Sequence, residues 1–162
     1  MNQAVLLLGG NIGDRLALII KATDIIINSC GTLKNKSRLY ESEAWGFETN
    51  NNFLNQAISI ETKYSAPDLL KITQSIELKL GRKQKTSAKY ESRPIDIDIL
   101  FYNSDIIDSE KLTIPHPRLH MRMFTLFCLM DIIPNFIHPI LEKNISQLQQ
   151  QCSDTVKAWP YE

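Results

Sequence analysis

The stretch Ser92-Arg93-Pro94-Ile95-Asp96-Ile97-Asp98-Ile99-Leu100-Phe101 interleaves two aspartates with three isoleucines. Branched residues favour a pleated backbone and the alternation has a period of two. The segment therefore reads as a strand with Ile95, Ile97 and Ile99 on one face and Asp96 and Asp98 on the other. The two carboxylates then sit roughly 7 Å apart along the strand. Aspartate is disfavoured in strands, so placing two there needs compensation by solvent or by a ligand. Two readings are open: a sheet face turned to water, or a seat for hard cations. Paired carboxylates with open positions are how proteins hold Mg²⁺ that is also bound to substrate phosphates.

The rest of the chain supplies neighbours for that strand. Ala4 to Leu8 is a short apolar run that breaks into Gly9-Gly10-Asn11, with Gly13 close behind, and reads as a buried strand entering a tight turn. The turn has neither a Walker lysine nor a dinucleotide fingerprint. From about Asp14 a helix follows, with Leu16, Ile19, Ile20, Thr23, Ile26 and Ile27 at helical spacing. Thr32 to Glu41 and Phe53 to Glu61 are strand candidates around a polar loop that carries Trp45 and Phe47. Ser65 caps a second helix with Pro67 in its first turn, Leu69, Leu70, Ile76 and Leu80 form its apolar face, and Gly81 ends it. Gln74 and Glu77 sit one turn apart near its end, either on a solvated face or aimed at one ligand.

Arg82 to Arg93 holds five basic residues and one acidic residue without hydrophobic periodicity, and reads as a mobile loop feeding the two-aspartate strand. Cations for phosphate oxygens thus lie next to carboxylates for metal ions. Beyond Phe101, Ile106-Ile107 and Leu112-Thr113-Ile114 read as short paired strands. Pro115-His116-Pro117 breaks the chain before a helix from about Met121 to Ile133. His116, Arg118, His120 and Arg122 concentrate there, a local cluster suited to anions. From Pro134 onward the chain reads as irregular packing plus one short helix, with no nameable chemistry.

A chain of 162 residues with 43% hydrophobic content is of a size for one domain, residues 1–162, with a real core. Lys plus Arg and Asp plus Glu both number 18, so no global field attracts nucleic acid or an anionic membrane. Cys30, Cys128 and Cys152 are widely separated and odd in number, which points to reduced thiols and a cytoplasmic location. The order strand, helix, strand, strand, helix, strand is the split βαβ arrangement (βαββαβ) of an α+β, ferredoxin-like antiparallel sheet, here with additional helices. That topology sets the start of the Asp96 strand against the end of the Leu8 strand, and brings the glycine turn and the end of the second helix to the same sheet edge.

Gly9-Gly10-Asn11, Phe53-Leu54-Asn55, the Gln74 to Arg82 segment, Arg93-Pro94-Ile95-Asp96-Ile97-Asp98-Ile99 and Ile114-Pro115-His116-Pro117 with Arg122 and Phe124 together resemble the 6-hydroxymethyl-7,8-dihydropterin pyrophosphokinase family of folate biosynthesis, from residue 4 to about 135. The resemblance implies transfer of the pyrophosphoryl unit of ATP to the pterin hydroxymethyl group, releasing AMP, with two Mg²⁺ ions. It implies that Asp96 and Asp98 bind the metal ions and act catalytically with Arg82 and Arg93. It further implies that Gln74, Glu77, Arg82, Lys89, Ile99, Thr113, His116 and Arg122 bind ATP, and that Gly9, Ser42, Trp45, Phe53, Asn55, Asp96 and Phe124 bind the pterin. The flat pterin ring would stack between Phe53 and Phe124 while Asn55 and backbone near Ser42 and Trp45 read its edge. No general base stands out. The chain departs from the family's pattern at Glu43-Ala44, Gln84, Lys89 and Tyr90, which bears on how its two site loops close.

The expected partners are small molecules acting on a monomer. Two other classes fit the same fold order. An RNA-binding module would need exposed aromatics on central strands, where this chain has Val5-Leu6-Leu7. A phosphohydrolase of the acylphosphatase type would need no metal, so loss of activity in EDTA separates it from the metal-dependent reading.

Overall fold

The computed structural model describes residues 1–82 and 90–162. Its central strand β1 (Asn2–Gly10) is antiparallel to β4 (Phe53–Thr62) on one side and to β5 (Asp96–Tyr102) on the other. The sheet continues from β4 to β3 (Tyr40–Ser42) and β8 (Ala158–Pro160), and β2 (Thr32–Lys36) also pairs with β4. This is the ferredoxin-like sheet that the order of elements predicts, with one added edge strand.

The uninterrupted apolar run of β1 follows from burial on both faces. Ala4, Leu6 and Leu8 face a core shared with α1 (Arg15–Ser29) and α2 (Ala66–Lys79), whereas Val5 and Leu7 face a second core built on α3 (Met123–Ile132) and α4 (Ile145–Gln151). The Asp14 side chain caps α1 by accepting from Ala17 N, and Ile19, Ala22 and Ile26 are its buried residues. Ser65 caps α2 by accepting from Asp68 N, and Gly81 follows α2 with φ of 101°. The α3 helix is apolar on nearly every side because it lies between the sheet and α4. It also covers the sheet face that an RNA-binding platform would keep open.

Alternation on β5 runs as expected through Ile99 and then shifts. Val5 pairs with Phe101 and Leu6 with Ile99, leaving Leu100 bulged, so Leu100 and Phe101 both enter the second core. Several boundaries differ from the expected ones. The Thr32–Glu41 strand is broken at Ser37, whose Oγ accepts from Ala57 N and donates to Arg38 O, leaving β2 and β3 as separate pieces. Pro94 delays the β5 start to Asp96. Of the paired segments after it, the first shifts by one residue to β6 (Ile107–Asp108) and the second shortens to β7 (Thr113–Ile114). A 3-10 turn, Leu119–Met121, precedes α3, so that helix starts at Met123. The C-terminal residues expected to be irregular contain β8, held by Trp159 Nε1 donating to Glu41 and by Tyr161 N donating to Leu39 O. Most of the expected basic loop, including Gln84 and Lys89, lies outside the described residues.

His138 closes the second core beneath β5. Its ring stands edge-on to Phe101 with centroids 5.7 Å apart, and its Nδ1 accepts from Ile140 N at 3.2 Å and Leu141 N at 3.0 Å. Burial, reinforced by the nearby His120, lowers its pKa from 6.5 to about 4. A histidine with a depressed folded pKa contributes stability that is complete above its unfolded value and is lost as pH falls from about 6.5 towards about 4. Urea midpoints measured from pH 8 to pH 4 are therefore expected to decline in this window, and His138→Gln should be less stable at pH 8 but show a shallower decline. An equally steep decline in the variant would contradict the role of His138.

Candidate active site

The acidic face of β5 lies on the same side of the sheet as α3. Because α3 begins at Met123, it leaves the ends of β1, β4 and β5 on that side uncovered, and two cavities form there. One is lined by Gly9, Ser42, Trp45, Phe53, Asn55 and Phe124 among others. The second is lined by Arg82, His116 and Arg118. Both are also lined by Tyr90, Arg93, Asp96, Asp98 and Arg122, so an aromatic and amide-lined compartment adjoins a cationic one with the two aspartates at the junction.

Backbone register assembles this junction. Gly9 is opposite Asp96 on one side and Asn55 on the other. Asn55 donates through Nδ2 to Tyr40 O (3.1 Å) and Ser42 Oγ (3.0 Å), which leaves its Oδ1 beside Gly9 as an acceptor. Asn11, buried just after β1, accepts from Arg93 N at 2.8 Å and donates to Ser92 Oγ at 2.9 Å and Asn51 O at 3.2 Å. One amide thus joins the aromatic loop to the segment leading into β5. Sequence reasoning noted Asn11 as part of a turn but not as this clamp, since a clamp between distant segments has no local signal.

Asp96 is held by two guanidiniums: Arg82 Nη1 lies 2.5 Å from Oδ1 and Arg93 Nη2 3.1 Å from Oδ2. The same Arg82 nitrogen donates to Glu77 Oε2 at 2.7 Å, and that oxygen also accepts from Ile97 N at 2.8 Å. Burial would raise the Asp96 pKa, but the charges of Arg93 and Arg82 hold it below the ordinary carboxylate value. Glu77 is pushed up to about 8 by burial and then by the Asp96 charge. Asp98 rises to about 7, first through burial and then through repulsion from Asp96. The more distant charges of Arg122, Arg93 and Arg82 offset this only in part, and among the described residues the one group within ion-pair distance is His116, whose Nε2 is 3.9 Å away on an imidazole that burial and Arg122 lower to about 4. The Arg118 N–H donates to His116 Nδ1 at 3.1 Å, which leaves the imidazole hydrogen on Nε2, facing Asp98.

Two guanidiniums lie against rings. Arg93 sits 5.3 Å from the Phe53 centroid, and Arg122 sits 4.6 Å from Trp45, 5.4 Å from Tyr90 and 6.0 Å from Phe124 while donating to the Tyr90 hydroxyl at 3.0 Å. The buried Nε atoms of both have no hydrogen-bond partner among the described residues, an arrangement that costs about 1–3 kcal/mol each until an acceptor arrives. A hard dication would fit this donor set: Asp96 and Asp98 would hold it, and both line a cavity rich in phosphate-binding groups. Among the described residues no group of three or more His, Cys, Asp or Glu forms an all-protein metal cage.

Of the residues expected at the site, Gly9, Ser42, Trp45, Phe53, Asn55, Arg82, Arg93, Asp96, Asp98, His116, Arg122 and Phe124 line one or both cavities. Glu77 supports them from behind. Gln74 is exposed on α2, Thr113 is exposed on β7, and the Ile99 side chain is in the core on the other face of the sheet. Lys89 lies outside the described residues.

Residues 5–134 match the model of the 7,8-dihydro-6-hydroxymethylpterin-pyrophosphokinase family. The chain belongs to this family. It is 38% identical over 144 residues to the 2-amino-4-hydroxy-6-hydroxymethyldihydropteridine pyrophosphokinase of Aquifex aeolicus, covering 89% of this chain and 88% of that protein. It is 41% identical over 134 residues to the protein of that name from Porphyromonas gingivalis, covering 82% and 90%. Among solved structures, the Plasmodium falciparum HPPK-DHPS with pteroate superposes with a TM-score of 0.75 at 18% identity, over 93% of this chain and 44% of that longer one, and shares the fold.

Gly10 is the tightest point in the scaffold beneath the site. A Cβ there would lie 2.0 Å from the carbonyl oxygen of Pro94, in the segment that presents Arg93 and Asp96. Gly10→Ala should therefore lower stability by about 1–3 kcal/mol, as overpacking does, and reduce activity by shifting the start of β5. A variant with the wild-type melting temperature and rate would show that the backbone approach is not needed.

Proposed function

We propose that Asp96 and Asp98 are the seat of two Mg²⁺ ions and that the cavities meeting at them take ATP and a pterin side by side. The reaction is transfer of the pyrophosphoryl group of ATP to the hydroxymethyl group of 6-hydroxymethyl-7,8-dihydropterin, with release of AMP, a step of folate biosynthesis. The observation that carries the assignment of sites is the shared wall: Arg93, Asp96, Asp98 and Arg122 line both compartments, so a group leaving one substrate reaches the other without crossing solvent.

On this reading Asn55 Oδ1 accepts from the donor-rich pterin edge beside Gly9 and Ser42, and Phe53, Phe124 and Trp45 offer ring faces. Stacking between Phe53 and Phe124 moves Arg93 off the Phe53 face, towards the phosphates. Arg82 is kept in place by Glu77, and with Arg93, Arg122 and His116 Nε2–H it offers preorganised donors to phosphate oxygens where charge develops. Bound Mg²⁺ supplies Lewis-acid polarisation of the phosphoryl group and lowers the pKa of the attacking alcohol. Gln74 and Thr113 are assigned to ATP from the solvent side, Ile99 through its main chain, and Lys89 through its place in the preceding basic segment. Residues 1–162 act as one pyrophosphokinase domain. A monomer working in the cytoplasm is part of the same proposal, in keeping with three cysteines that are all free thiols.

Incubation with ATP, Mg²⁺ and 6-hydroxymethyl-7,8-dihydropterin should yield AMP in step with pterin consumed, and EDTA should stop it. ADP as the product would mean γ-phosphoryl transfer and defeat the reading. Asp96→Ala and Asp98→Ala should each lower kcat by about a hundredfold or more, with the fold retained by circular dichroism. Undiminished rates in both would remove them from the site.

A further inference from the structure

Of the four basic residues clustered before α3, the proposed function uses His116 and Arg122 but leaves Arg118 without a task. Arg118 lines the cationic cavity and is exposed, and its guanidinium lies 5.1 Å from the Tyr90 ring centroid. Its surroundings differ from those of its neighbours. Arg82 and Arg93 are both engaged by Asp96, and Arg122 is buried among rings. No carboxylate pairs with Arg118 among the described residues. A guanidinium lying over a ring still has N–H groups to offer, and these suit a grip on phosphate oxygens. Being on the solvent side, it is a cation without a carboxylate partner among the described residues, placed where an arriving polyphosphate can meet it.

We propose that Arg118 is a further polyphosphate-binding residue of this chain, gripping the phosphates of the nucleoside triphosphate beyond the first from the mouth of the cavity, with Tyr90 holding the plane of its guanidinium. The role rests on the reading that this cavity takes ATP. It contributes to binding in the ground state and the transition state alike, so it acts on KM and not on kcat. Its main-chain bond to His116 does not depend on the side chain, and Arg118→Ala leaves that bond intact.

Steady-state kinetics and calorimetric titrations of the full chain with Mg²⁺ and either ATP or AMP test the proposal. Arg118→Ala should raise KM and Kd for ATP about tenfold, the loss expected for one charge-assisted contact, leave kcat and AMP affinity within about twofold, and keep the melting temperature of the wild type. Arg118→Lys, which retains the charge without the fork, should recover part of the ATP affinity. Unchanged ATP affinity in Arg118→Ala, or an equal loss for ATP and AMP, would overturn the role of Arg118 while wild-type binding stands. Failure of the wild-type chain to bind ATP would overturn the reading of the cavity together with it.

Discussion

The carboxylate of Asp96 sits half-buried at the start of a strand, and cations stand against its charge. Two do, and each comes from a different part of the chain: Arg82 from the end of α2 and Arg93 from the segment that leads into β5. Glu77 shares Arg82 with it and anchors on the Ile97 N–H, so the helix end, the strand and the incoming loop are tied through one hydrogen-bonded cluster. Groups buried in this way are strongly interdependent, because removing one partner leaves the others charged and unpaired. The same cluster leaves Asp98 without an arginine or lysine at ion-pair distance among the described residues, and this makes the junction receptive to a cation that brings phosphate with it.

The two faces of the sheet divide the work. On one, α1 and α2 cover β1, β4 and β5 with a closed apolar core. On the other, α3 covers only the far part of the strands, where the bulge at Leu100 turns two successive β5 side chains inward to meet it. The uncovered strand ends hold Gly9, Asn55, Asp96 and Asp98, polar or small residues that a closed core would reject. Stability and chemistry are thus separated along the length of the same strands, and the site inherits rigid backbone from the packed half.

Much of this was legible in advance. The alternation of Ile95 to Ile99, the helix start near Asp14, the cap at Ser65, the glycine break after Leu8 and the buried run of β1 are written in residues close to one another. Each of these follows from a periodicity or a hydrogen bond that a short peptide already defines. The segment order then led to the topology, and the motifs led to the family. The break at Ser37 and the strand at Ala158–Pro160 were not legible, because each depends on a partner far away in sequence: Ala57 for Ser37 and Tyr40 to Ser42 for β8.

At the site the same boundary holds. That Asp96 and Asp98 share a face, and that basic residues flank them on both sides, is a property of the sequence by itself, since side-chain direction in a strand alternates whatever the strand packs against. Which carboxylate is neutralised and which is left open, which guanidiniums lie on rings and which imidazole nitrogen keeps its hydrogen were decided only in the tertiary structure. Charge, desolvation and hydrogen bonding act over a few ångströms in space, and only the folded register of β1, β4 and β5 brings those groups within that range.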